Sequence, residues 1–115
     1  MELTLIYKYV KAQSVLHSVV EILATFPGDM RSRLDGAFSE LDSIVDTDLP
    51  EELRDDWSFA MQQLKKHGPK FDCNGRVCIG SVKNTMSKIR NTTASKIADK
   101  LYKIYYELNC SGKYA

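Results

Sequence analysis

Apolar residues recur at helical spacing along most of the chain. Over residues 3–26, Leu5, Tyr9, Ala12, Leu16, Val19, Val20 and Leu23 return every three or four positions, with Lys11, Ser14, Ser18 and Glu21 on the other face. That spacing predicts an amphipathic helix. Phe26-Pro27-Gly28 ends it, because proline and glycine continue a helix poorly. From Asp29 to about Val45 the pattern resumes. Met30, Leu34, Ala37, Phe38, Leu41, Ile44 and Val45 form the expected buried side, and Arg31, Asp35, Glu40 and Asp42 the wet one. Asp29 suits the N-cap, since its carboxylate can accept N–H bonds from the first turn. A third helix is predicted from Leu49-Pro50, with Asp48 as its cap and Glu51 and Glu52 at the positive helix end. Its stripe is Leu53, Trp57, Ala60, Met61 and Leu64. Lys65, Lys66 and His67 suit the negative end, with His67 expected at the C-cap, and Gly68-Pro69 stops it.

Residues 69–80 read two ways. Asn74-Gly75 is a strong hairpin signal, so Lys70–Cys73 and Arg76–Ile79 could pair as a short ribbon. The rival is a loop followed by a helix starting at Val77 or Cys78, because Ile79, Val82, Met86 and Ile89 share a face. Residues 81–109 are helical, and Ile97, Leu101, Ile104 and Leu108 keep a 4-3-4 spacing. Weak helix formers at Arg90-Asn91-Thr92-Thr93 favour two helices there, the second capped by a threonine, with one long helix as the alternative. The fold class is therefore all-α. We expect a four- to five-helix bundle in one domain over residues 1–115, with a β-hairpin near 70–79 as the open detail.

Composition narrows the class further. Of 115 residues, 43% are hydrophobic and 27% charged, which excludes a disordered or low-complexity chain. No apolar run approaches the ~18 residues of a membrane span, so no membrane partner is expected. Met1–Tyr7 contains Glu2 and has no basic, apolar leader pattern. Three cysteines do not make a disulfide framework. A cytoplasmic protein with reduced thiols is the expectation.

Charge is balanced in total and segregated along the chain. Residues 29–62 carry ten acids and three bases, whereas residues 63–115 carry eleven bases and three acids. One reading is internal: acidic helices lie beside basic ones. The other is a charged surface for a partner. On the last helix, Lys96, Lys100 and Lys103 form a stripe, with Tyr102 and Tyr106 beside it and off the Ile97–Leu108 seam. These five residues are the candidate interaction surface. Lysines can neutralise phosphates and tyrosines can stack on bases. Only two of the five arginines, Arg76 and Arg90, lie in the basic half, which weakens base-specific recognition.

Little catalytic chemistry is visible. His67, Cys73, Cys78 and Cys110 are the only soft metal donors apart from His17, and their spacing does not match a zinc site. No metal, cofactor or catalytic residue is expected. No nucleophile elbow, phosphate loop or zinc-protease motif occurs. Arg90-Asn91 in front of a helix is similar to the Arg-polar motif of HEPN-type domains. Nucleases of that group place a histidine several residues after the arginine, and Thr92 to Lys96 contain none. The resemblance would imply a relative without nuclease activity.

The expected function is that of a small non-enzymatic helical protein acting through protein–protein contact, in a regulatory or accessory role such as mobile elements and phages carry. A homodimer through the last helix, with Tyr106 in the interface, is the expected self-contact. The alternative is a nucleic-acid-binding module using the basic half.

Overall fold

Among the described residues the apolar stripes become the facing sides of five helices. The computed structural model describes residues 8–114. Leu5 and the predicted beginning of the first helix lie outside the described residues. The helices are α1 (Val10–Thr25), α2 (Met30–Leu41), α3 (Glu51–Leu64), α4 (Ser81–Lys88) and α5 (Asn91–Asn109). A 3-10 turn, Asp46–Asp48, precedes α3. Strands β1 (Lys70–Phe71) and β2 (Val77–Ile79) pair antiparallel between α3 and α4. Helix takes up 67% of the described structure, as an all-α bundle requires.

Helix α5 is the hub. It packs against α1, α2 and α3, while α4 packs on α2 and α3. One side of α5 is buried through Ala94, Ile97, Ala98, Leu101, Ile104 and Leu108. That side meets Ala12, Leu16 and Val19 of α1, Leu34 and Leu41 of α2, and Leu53, Trp57 and Leu64 of α3 in a single core. Each fully buried leucine contributes ~1.5–3 kcal/mol of apolar transfer energy, so the core alone explains why short helices hold together.

The predicted cap of α2 is present: Asp29 Oδ1 accepts the Ser32 N–H at 3.0 Å. Three other terminal assignments differ. Helix α2 stops at Leu41 rather than Val45, and Val45 is 55% exposed because the chain turns away after Ile44. Asp48 does not cap α3. Its carboxylate takes the Val45 N–H at 2.9 Å and closes the 3-10 turn, leaving Pro50 at the N-cap of α3. Lys65, not His67, is the C-cap of α3.

The break between α4 and α5 falls at Ile89-Arg90, so the two-helix reading holds. Arg90 occupies the N-cap with no side-chain bond, and the threonines lie inside the first turn rather than capping it. Asn91 Oδ1 instead accepts the Met30 N–H at 2.9 Å, tying the start of α5 to the start of α2.

The hairpin reading also holds. Gly75, at φ +77°, takes the left-handed conformation its loop requires, and its N–H reaches Asp72 O at 3.1 Å. Asp72 Oδ1 accepts the Asn74 and Arg76 N–H groups. Residues 73–75 thus form a three-residue hairpin loop rather than a two-residue turn.

Among the described residues two polar side chains are buried, both on α4. Thr85 Oγ1 accepts the His67 N–H at 3.0 Å and donates to Ser81 O at 2.8 Å. Asn84 Nδ2 donates to Gly68 O at 2.9 Å. Together they fasten the turn after α3 to α4. At the other end, Gln13 Nε2 donates to the Leu108 and Tyr114 carbonyls, and Asn109 Nδ2 donates to Gln13 O.

Candidate functional site

A helix that buries one side against three neighbours must present its other side outward. In α5, 100° per residue sets the layout. Lys96, Lys100 and Lys103 cluster within about 60° of one another, and Tyr102 and Tyr106 lie roughly 80–120° from the lysine centre. The structure sends the two sets to different neighbours. The lysines line a groove against α3 and Tyr102 lines one against α1, with Asp99 lining both, while Tyr106 is exposed and lines neither. The five candidate residues therefore form two faces of different chemistry.

The lysine face borders a groove of about 350 Å³ with Phe59, Ala60 and Ile97 on its apolar side. Lys100 is the most anchored. Its Nζ lies 3.2 Å from Asp56 and 5.4 Å from the centre of the Phe59 ring, which gives it an ion pair and a cation–π contact. Lys103 pairs with Asp99 one turn earlier at 3.0 Å. Lys96 makes no ion pair among the described residues. Two of the three ammonium groups are thus already matched by carboxylates before any partner arrives.

The tyrosine face is nearly uncharged. Tyr102 and Tyr106 are 48% and 50% exposed, although each ring is large and apolar. Tyr102 edges a second groove of about 340 Å³ walled by Val20, Leu23 and Ala24 of α1, Met30 of α2, and Ala98. Tyr105 lies between Tyr102 and His17, with its ring centre 5.7 Å from that of Tyr102 and 6.4 Å from that of His17. The Cys110 thiol, and then desolvation, push the Tyr105 hydroxyl above its ordinary pKa. His17 itself pairs with Glu21 at 3.3 Å. Exposed tyrosines beside an apolar groove give large contact area at low entropic cost, the chemistry that protein interfaces favour.

The soft donors are scattered. Cys73 and Cys78 are exposed on the hairpin segment, and Cys110 is exposed at the end of α5. Among the described residues no group of three or more His, Cys, Asp or Glu side chains is arranged to hold a metal. No described helix is long and apolar enough to cross a membrane. Arg90 is exposed, and Asn91 is engaged with the Met30 N–H, so the Arg-Asn pair borders no groove described above.

Sequence reasoning did not anticipate Phe59, 52% exposed on the lysine side. The available signal was its offset from Trp57: two residues place it about 160° away from the buried indole. The α1 wall of the tyrosine groove was also unanticipated, because Val20 was counted with the core and Ala24 went unnoticed. Comparison with protein-family models, with curated proteins and with solved structures finds no match to this chain.

Proposed function

We propose that this chain is a non-enzymatic protein-binding module whose partner docks on the tyrosine side of α5. One observation carries the reading: Tyr102 stands half-exposed at the edge of an apolar groove that few charges border, and Tyr106, equally exposed, follows one turn later on the same helix. A protein partner would bring an apolar side chain to the groove between α1 and α5, and polar rim groups to the tyrosine hydroxyls. An accessory or regulatory role follows from a function exercised by contact alone. The alternative, nucleic-acid binding, would use the lysine side. It is the weaker reading because phosphates would compete with Asp56 and Asp99 for two of the three lysines.

The test is native capture of bound material before and after nuclease digestion. Proteins retained after digestion support the reading. Material that disappears on digestion, with retarded migration of DNA or RNA that weakens steeply as salt rises, favours the alternative.

A further inference from the structure

The segregated charge finds little compensation inside the molecule. Of the ten acids in residues 29–62, only Asp35 and Asp56 form ion pairs with bases from the basic half among the described residues, to Lys83 and Lys100. Net charge is +1, so two copies meet no strong overall repulsion.

The exposed side of α3 orders this charge. Glu52, Phe59 and Lys66 are spaced by seven residues each. Seven residues is close to two turns, so the three share one line along α3 and the hydrogen-bonded turn that prolongs it. All three are exposed. The stripe reads acid, aromatic, base, with the aromatic at its midpoint.

Such a stripe is complementary to itself. A two-fold axis through the midpoint, perpendicular to the helix, exchanges the ends. Glu52 then faces Lys66 of the partner subunit, and Lys66 faces Glu52 of the partner subunit. Phe59 meets Phe59 of the partner subunit beside the apolar side of the lysine groove, Ala60 and Ile97. The same operation brings Asp55 to the level of Gln63, where Lys96 lines the groove. Neither Lys66 nor Lys96 makes an ion pair among the described residues. Glu52 is held by the Tyr114 hydroxyl at 2.5 Å, which fixes the carboxylate in place and pushes the Tyr114 pKa up to about 12.

We infer that two copies of this chain associate across the Glu52–Phe59–Lys66 stripe as an isologous two-fold dimer, acid end against base end. The Glu52–Lys66 pair occurs twice in such an interface and Phe59 enters it from both copies, so one substitution acts twice. The tyrosine side of α5 stays free. The inference therefore stands or falls separately from the proposed docking face.

Sedimentation equilibrium on the full chain tests it. The expected result is a dimer at about 20 mM salt whose dissociation constant rises roughly tenfold or more at about 500 mM salt, since exposed pairs are screened. Glu52→Lys and Lys66→Glu should each weaken association by a similar factor or more, and Phe59→Ser should do so without altering charge. The double variant Glu52→Lys/Lys66→Glu restores opposite charges and should return to within a few-fold of the original. Circular dichroism confirms that each variant is folded. A monomer at low salt and high micromolar concentration overturns the inference. So does a dimer that salt leaves unchanged or strengthens, and so does a folded double variant that fails to recover.

Discussion

Replacing Thr85 with valine removes one oxygen from the fully buried wall of α4 and keeps the shape. Thr85 is 0% exposed. Its hydroxyl accepts the His67 N–H at 3.0 Å and donates to Ser81 O at 2.8 Å. Ser81 O keeps its helical donor, so that loss is small. The His67 N–H is left without its acceptor, which costs ~1–3 kcal/mol where water cannot replace it. A buried methyl in place of the hydroxyl returns up to ~0.8 kcal/mol. The net destabilisation is ~1 kcal/mol, between about 0.2 and 2.2 kcal/mol with the full methyl return. In a chain of this size each kcal/mol lowers Tm by roughly 4 °C. Urea unfolding followed by circular dichroism should show a lower midpoint at unchanged slope. Amide exchange should show His67 losing protection while the centre of α5 keeps it. Thr85→Ser separates the causes, because it retains both hydrogen bonds and loses only a methyl. A valine variant as stable as the original, with the His67 amide still protected, would refute the reasoning.

Trp57, 3% exposed in the centre of α3, should cost ~3–5 kcal/mol when changed to alanine, and its native emission should be blue-shifted; red-shifted emission before unfolding would contradict this. Backbone bonding by Ser32, then Arg31, holds the Asp29 carboxyl below its ordinary range, and backbone bonding by Val45, then Lys11, does the same for Asp48. Their contribution is complete above the unfolded carboxylate pKa and is lost as pH falls through the lower folded values. Acid titration of stability should therefore steepen below about pH 4, and Asp29→Asn with Asp48→Asn should flatten it. Changing the exposed Cys73, Cys78 and Cys110 to serine should leave stability within about 0.5 kcal/mol; a large drop in melting temperature would refute that.

Periodicity made the helices legible because each buries one continuous stripe. Leu53, Trp57, Ala60 and Leu64 are buried as spaced, and so are Ile97, Leu101, Ile104 and Leu108. Ends were harder, since several groups compete for the same N–H. Asp48 precedes a helix start and looks like its cap, yet its carboxylate serves Val45 in the tighter turn. Thr85 lies three residues after Val82 and four before Ile89, on the apolar side of α4, but sequence reasoning did not name it. Its acceptor role was not legible there, because His67 reaches it through tertiary packing.

The candidate surface shows the same limit. Helical arithmetic alone separates the lysines from the tyrosines by roughly a quarter to a third of a turn. Nothing in the residues says that α3 flanks the lysines and α1 flanks Tyr102. That placement turns one mixed surface into a paired, partly neutralised lysine groove and a mostly apolar groove edged by Tyr102, with Asp99 as its one charged lining residue.

Which side of α5 carries the function is decided by one comparison. Tyr102→Glu/Tyr106→Glu and Lys96→Gln/Lys100→Gln/Lys103→Gln each alter exposed or half-exposed positions and should leave the fold intact, unlike Leu101→Glu in the core. Native capture after nuclease digestion is run with both variants and the original chain, and bound proteins are quantified. The account predicts that the tyrosine variant loses the proteins held by the original while the lysine variant retains them. Loss with the lysine variant and retention with the tyrosine variant would contradict it.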